Sequence, residues 1–151
     1  MRKRRIEDAP LSLLIHHISK MFDDRMRQKC EAAGIGESWS KVLFYLKHND
    51  PMTQLDLAKR THLSAPSISV TLQKMENAGL ILRRPNPKDQ RATLVYLTEQ
   101  GYMTDRKVIR LTRETERDLL KGISKQELAT ILPLLLRMYR NLTEDAENGT
   151  S

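Results

Sequence analysis

The sequence has 151 residues, 39% of them hydrophobic and 30% charged, which is enough for one domain with its own core and too little for two. A formal net charge of +7 favours a polyanionic partner and says nothing about the fold. The single cysteine excludes an intramolecular disulfide framework and a multi-cysteine metal site.

Membrane and export signals are weak in this chain. The longest apolar runs, such as Leu132–Leu136, are too short to cross a bilayer. The N-terminus, MRKRRIEDAP, has the positive start of a signal peptide, but no long apolar run or small-residue cleavage site follows it. We therefore predict a cytoplasmic protein without a membrane partner.

The N-terminal third of the chain has helical periodicity. Apolar residues recur every three or four positions from Pro10 to Cys30, which predicts one face of a long helix. Gly34 and Gly36 end this pattern, and a shorter apolar helix is predicted after Ser38.

Two short helices separated by a tight turn are predicted next. Thr53 and Asp56 resemble a capping box at the start of the first helix. Ser64 can cap the second helix, which tolerates Pro66 in its first turn and ends at Gly79. Two helices joined in this way form a helix-turn-helix, with the second helix as the recognition helix.

A β-hairpin is predicted directly after the recognition helix. Leu80–Arg84 and Ala92–Leu97 have the character of strands, and the turn-forming segment PNPKDQ lies between them. A hairpin in this position is a wing, whose tip reaches the neighbouring DNA backbone or minor groove. We expect the prolines to stiffen the tip, Arg91 to enter the minor groove and Asp89 to orient the Arg91 guanidinium.

The C-terminal third returns to helical periodicity. A highly charged helix is predicted from Glu99 to Lys121. After Gly122, Ser124 and Glu127 form a second capping box, followed by an apolar helix that Pro133 should kink or divide.

Two stretches carry a resemblance to a known family. SAPSISVTLQKMENAGLILR and NPKDQRATLVYLTEQG resemble the winged helix-turn-helix of the MarR family of bacterial regulators, including the wing motif Asp89–Arg91 and the closing motif Leu97–Gly101. The resemblance covers nearly the whole chain. It implies a mainly α-helical fold with a small β-hairpin wing, in which long N- and C-terminal dimerisation helices flank the winged helix-turn-helix. We predict a single domain, 1–151, with a DNA-binding lobe at 37–98 and a helical dimerisation lobe at 8–36 and 99–147.

Basic residues are concentrated in the predicted DNA-binding part, where seven basic residues between Met52 and Leu97 face three acidic ones. Small and hydroxylic residues on the recognition helix permit close approach to DNA, and Val70 could meet a thymine methyl group. Similar proteins of the family often carry an arginine near this position. Lys74, Lys88 and the Arg83–Arg84 pair are predicted phosphate contacts. The full set of predicted DNA-binding residues is Ser64, Pro66, Ser67, Ser69, Val70, Gln73, Lys74, Arg83, Arg84, Lys88, Asp89 and Arg91.

The resemblance also implies a homodimer and a mode of regulation. Similar proteins intertwine their terminal helices into a two-fold dimer, and a dimer reads two half-sites about 34 Å apart. We predict a repressor that binds double-stranded DNA at a pseudo-palindromic operator and is released by a small, aromatic or phenolic effector. The candidate effector-binding residues are His16, His17 and Trp39.

Two alternatives remain open from the sequence. The protein could be an architectural DNA-binding protein that senses nothing, or an oxidant-sensing regulator that acts through Cys30. An enzymatic role is not predicted, because the four histidines have no metal-ligand spacing and neither a phosphate-binding loop nor a nucleophile motif is present. No cofactor or metal is predicted.

Overall fold

A computed structural model describes the backbone of residues 5–148 and the side chains of residues 5–143. After a 3₁₀ turn at Ile6–Asp8, the elements are, in order, α1 Leu11–Ala32, α2 Trp39–His48, β1 Met52–Thr53, α3 Gln54–Thr61, α4 Ala65–Asn77, β2 Ile81–Asn86, β3 Asp89–Leu97, α5 Glu99–Leu119 and α6 Lys125–Asn148. The predicted fold class, mainly helical with a small β wing, is confirmed.

The described chain divides into two compact units, and the boundary lies within α5, between Glu116 and Arg117. The lobe boundaries proposed above stay a prediction. Within the described residues, no helix has the length and apolar character needed to cross a membrane.

Helix boundaries in both units follow local side-chain caps. Thr53 Oγ1 accepts a hydrogen bond from the Asp56 amide at 3.1 Å at the start of α3. Ahead of α6, the Ser124 hydroxyl oxygen accepts from the Glu127 amide at 3.1 Å, while the Ser124 amide donates to the Glu127 carboxylate at 2.8 Å. This reciprocal pair is the predicted capping box.

The proline in α6 does not divide the helix, so of the two predicted effects of Pro133 division is wrong, while a kink stays a prediction. The helix is continuous from Lys125 to Asn148. Pro133 lacks one backbone donor, but strong helix formers surround it, Leu132 before it and Leu134–Leu136 after it.

The hydrophobic core of the first unit lies where α2, α3 and α4 pack against the sheet. Its most deeply buried side chains have at most 1% of their surface exposed: Val42, Leu43, Leu46, Leu57, Ile68, Leu72, Met75, Ile81 and Val95. An ion pair supports this packing, since Lys47 Nζ lies 2.9 Å from the buried carboxylate of Asp105 and so joins α2 to α5.

The sheet has three antiparallel strands in the order β1-β3-β2, one more than the predicted hairpin. The additional strand pairs Met52 with Val95 and Thr53 with Leu94. Two residues carry no detectable alternation, so this strand could not be recognised from its sequence.

The hairpin strands also extend further toward the tip than predicted, so that Pro85 lies within β2, opposite Thr93. Because β2 is an edge strand, it tolerates a residue without a backbone donor.

Candidate DNA-binding surface

The turn between α3 and α4 presents one face of α4 to solvent. His62 takes the left-handed conformation with φ of 56°, which ends α3 and turns the chain. Ser64 then caps α4, its hydroxyl oxygen accepting a hydrogen bond from the Ser67 amide at 3.2 Å. Ile68, Leu72 and Met75 anchor the opposite face of the helix in the core.

All the residues of α4 and its cap that the sequence predicted to contact DNA lie on this exposed face. They are Ser64, Pro66, Ser67, Ser69, Val70, Gln73 and Lys74. Val70 is 55% exposed, so its methyl groups are open to contact by a partner.

Two side-chain turns shape the tip of the wing. Asn86 Oδ1 accepts a hydrogen bond from the Lys88 amide at 3.0 Å, and Asp89 Oδ1 accepts one from the Arg91 amide at 3.0 Å. Short Asn and Asp side chains commonly stabilise tight turns by bonding to the backbone two residues on. As a result, Lys88 and Arg91 are held at an exposed tip.

The predicted role of Asp89 is therefore wrong in one respect. Its carboxylate holds the backbone of Arg91, and no ion pair between the Asp89 and Arg91 side chains is found among the described residues. The guanidinium of Arg91 is left exposed to solvent. A two-residue separation favours the backbone contact because the short Asp side chain reaches the amide directly.

The Arg83–Arg84 pair, predicted as two phosphate contacts, divides into two different environments. Arg84 is exposed, and its Nη1 donates to the carbonyl oxygen of Arg83 at 2.9 Å. Arg83 is partly buried, and its Nε lies 3.2 Å from Glu76 Oε2. Glu76 is not predictable from the sequence, because no local pattern indicates that residues seven positions apart on a helix and a strand will meet.

The hydrogen bonds that Glu76 accepts from Arg83 hold the pKa of its carboxyl below the ordinary glutamate value. Gln73, on the same helix, accepts a hydrogen bond from Arg83 Nη2 and donates one to Asn77 Oδ1 at 3.0 Å. The exposed edge of α4 is thus fastened to the first strand of the wing.

The three candidate effector residues are not brought together. Trp39 packs against the core and borders a pocket of about 550 Å³ that Pro66, Ser67 and Val70 of α4 also line. His16 and His17 are exposed on α1 and do not line this pocket.

A larger pocket, of about 650 Å³, lies between α1, the following loop and the start of α2. Its lining includes the apolar residues Met26, Cys30 and Ile35. Four carboxylate residues, Asp23, Asp24, Glu31 and Glu37, and two basic ones, Arg27 and Lys41, also line it.

The single cysteine has the properties of a structural thiol. Cys30 is buried, with 7% of its surface exposed, and burial raises the pKa of its thiol. Oxidant-sensing cysteines need an accessible thiolate, so both observations weigh against that role. Among the described residues, no group of three or more His, Cys, Asp or Glu is placed to hold a metal ion.

Comparisons with known proteins agree with this geometry. Residues 33–92, from the loop before α2 into β3, match the model of the MarR family. The uncharacterized HTH-type transcriptional regulator YdgJ of Bacillus subtilis (strain 168) is 32% identical over 139 residues, which are 90% of this chain and 81% of that protein.

Solved structures of MarR from E. coli are similar throughout. A cysteine-to-serine mutant has a TM-score of 0.81 at 26% identity, covering 90% of this chain and 99% of that one. The same mutant complexed with operator DNA has a TM-score of 0.72 at 26% identity, covering 87% and 95%. With a relative this similar over most of its length and a matching family model, the chain belongs to the MarR family of transcriptional regulators.

Proposed function

We propose that this protein is a homodimeric repressor that binds a pseudo-palindromic DNA operator through α4 and the wing, and that a small effector releases it. The observation that carries the proposal is the exposed face of α4, polar and small in its side chains, in the same compact unit as a wing with exposed Arg84, Lys88 and Arg91. The E. coli relative complexed with operator DNA supports this reading.

The division of work follows from the chemistry of each surface. Ser67, Ser69 and Val70 on α4 suit contact with base edges, because small polar and apolar groups can approach the major groove closely. Lys74, Arg84 and Lys88 suit phosphate contacts, which give affinity and position without reading sequence. Arg91 suits the minor groove, where negative potential is concentrated.

The dimer is proposed from the apolar surface of α1 and α6. On α1, Leu11, Ile15 and Ile18 are each more than 40% exposed. On α6, apolar residues are exposed along one broad side of the helix: Ile131, Leu132, Leu134, Leu135, Leu136, Met138, Tyr139 and Leu142. Helices with so much exposed apolar surface need a partner, and a second copy also supplies the second half-site.

The effector is proposed to bind the pocket between α1 and α2, whose volume of about 650 Å³ suits a small molecule. Because its lining carries more carboxylates than basic groups, it favours a neutral or cationic aromatic compound over an anionic one. A compound that prefers a conformation unable to bind DNA would release the operator.

Selection of genomic DNA fragments tests the DNA-binding part of the proposal. Purified protein is incubated with fragments of the source genome at ~150 mM salt, near physiological ionic strength. We expect a few imperfect palindromes whose half-sites lie one helical turn apart. Uniform recovery without a shared motif would favour an architectural DNA-binding protein instead.

Release of bound DNA tests the effector. Neutral phenols and aryl amines are added to the complex, with benzoates of the same size for comparison. We expect release by the neutral or cationic compounds at lower concentration than by the benzoates. If none of them releases DNA, the effector is removed from the proposal, while the DNA-binding part stands.

A further inference from the structure

Arg83 is held at the base of the wing by a single carboxylate. Glu76 Oε2 accepts hydrogen bonds from both the backbone amide of Arg83, at 3.0 Å, and its Nε, at 3.2 Å. Glu76 Oε1 accepts from Arg83 Nη2 at 3.4 Å. Both side chains are less than one third exposed, at 20% for Arg83 and 31% for Glu76, so water screens the pair only in part.

Gln73 extends this contact along the recognition helix. Its side-chain carbonyl accepts a hydrogen bond from Arg83 Nη2, and its amide nitrogen donates to Asn77 Oδ1 at 3.0 Å. Nε and Nη2 form one edge of the guanidinium, the kind of edge that binds a phosphate with two parallel bonds. In Arg83 this edge is already occupied by protein groups.

Neighbouring basic residues have no such partner. Arg84, Lys88 and Arg91 are exposed, and none of them forms an ion pair among the described residues. Arg83 and Arg84 are adjacent in sequence on an edge strand, where alternate side chains face opposite sides. Arg84, which is open to solvent, is therefore a matched control for Arg83, which is paired with a carboxylate.

Building on the proposed function, we infer that Glu76 withholds Arg83 from DNA, so that Arg83 fastens the recognition helix to the wing instead of neutralising a phosphate. Glu76 is then a positioning residue that sets the angle between two DNA-contacting elements. It also limits non-specific affinity, because it removes one positive charge from the surface that faces the DNA backbone.

The salt dependence of DNA binding shows whether Arg83 neutralises a phosphate. Each phosphate that a protein neutralises releases counterions and makes the slope of log affinity against log salt more negative by about 0.9. A pair whose net charge is zero adds nothing. Arg83 should therefore contribute to the slope only when Glu76 has lost its charge.

The experiment measures affinity for a random-sequence duplex from about 50 to 200 mM salt, a range in which phosphate contacts change affinity strongly. Five proteins are compared: wild type, Arg83→Gln, Glu76→Gln, the double variant and Arg84→Gln as the exposed control. We expect Arg84→Gln to reduce the magnitude of the slope by about 0.9 and the double variant, in which the pair keeps a net charge of zero, to leave it unchanged. Arg83→Gln alone leaves the Glu76 carboxylate unpaired, so the double variant measures the contribution of Arg83 itself. Glu76→Gln should increase the magnitude of the slope by a similar amount, and the double variant should remove that increase.

Two outcomes would overturn the inference. One is a double variant whose slope falls as much as that of Arg84→Gln, since Arg83 would then contact phosphate in the wild type despite Glu76. The other is an unchanged slope in Glu76→Gln, since Arg83 would then not be released by loss of the carboxylate.

A measurement without DNA separates this inference from the proposed function. NMR titration of the Glu76 carboxyl should give a higher pKa in Arg83→Gln than in wild type. No difference would mean that the pair is absent and the inference wrong, whatever the protein binds. If the pair is present but the wild type binds no DNA, the proposed function fails and takes the role of Glu76 with it.

Discussion

Arg91 has a fixed backbone and a guanidinium that is exposed to solvent without an ion-pair partner among the described residues. Its backbone amide is fixed by the Asp89 carboxylate at 3.0 Å, while its guanidinium stays exposed. Fixing the backbone lowers the conformational freedom that DNA binding would otherwise remove, yet leaves the charge free. Asp89 thus fixes the backbone position of Arg91 and does not neutralise its guanidinium.

Replacing this side chain gives a prediction at the scale of one residue. Arg91→Ala should leave the fold intact and lower DNA affinity by at least about tenfold, because a minor-groove contact is lost. Affinity is measured by titration of labelled DNA selected as above. Gln90→Ala, an uncharged neighbour at the same exposed tip, is the control and should bind normally. Unchanged affinity in Arg91→Ala would remove the role assigned to Arg91.

At the scale of elements, the motif Leu97–Gly101 fixes how α5 leaves the sheet. Thr98 Oγ1 donates to the carbonyl oxygen of Gly79 at 2.6 Å and accepts from the Gly101 amide at 3.0 Å, so it caps α5 and joins it to the end of α4. A Cβ at Gly101 would collide with the carbonyl oxygen of Leu80 and lie 2.9 Å from Leu97 Cγ. Only glycine allows α5 to approach this closely.

Gly101→Ala therefore tests whether this close approach is rigid. An exposed helical glycine gains about 1 kcal/mol of stability on replacement by alanine. Here we expect a loss of about 1–3 kcal/mol instead, because backbone must move to make room. Urea unfolding measures the difference, and Gln100→Ala, exposed on the same turn, should change stability by less than about 0.5 kcal/mol. An increase in the stability of Gly101→Ala would show that the backbone near Leu80 can move to make room for the added Cβ.

Helix ends could be predicted from the sequence, whereas contacts between remote elements could not. Helix ends were predictable because caps such as Ser64 and Ser124 act on residues three positions away. The strand Met52–Thr53 was missed because its partners, Val95 and Leu94, are remote and its own two residues carry no pattern. The exposed face of α4 is likewise predictable, because it follows from the local spacing of apolar residues. The pairing of Arg83 with Glu76 is not, because it joins a strand to a helix.

At the scale of the whole molecule, exposed apolar residues and the basic residues of the candidate DNA-binding surface lie in different parts of the sequence. Basic residues of the wing and α4 lie between Met52 and Leu97, whereas the exposed apolar residues are most frequent on α1 and α6, near the two ends of the sequence. Buried apolar surface is the main source of stability in most protein associations. Self-association through α1 and α6 would use residues outside the segment from Met52 to Leu97 that carries the candidate DNA-binding surface.

Dimerisation is testable by charging the apolar side of α6. Wild-type protein should sediment as a dimer, at twice the chain mass of 17.5 kDa. Leu135→Glu, which places a charge on the apolar side, should shift the equilibrium toward monomer and reduce operator affinity with it. Thr130→Glu adds the same charge on the polar side of the helix and should remain dimeric. A wild-type monomer at all concentrations would contradict the proposal.

The pairing of β1 with β3 has a consequence for how the first unit folds. These strands are separated by about forty residues, a chain segment whose closure costs entropy that grows with the logarithm of its length. Asp50, just before β1, reaches equally far, accepting hydrogen bonds from the Leu97 amide at 3.2 Å and the Tyr102 hydroxyl at 3.0 Å. Such remote contacts slow folding relative to an all-helical unit. A fragment that ends before Leu94 lacks the partners of Met52 and Thr53 and cannot complete the sheet to which the wing belongs.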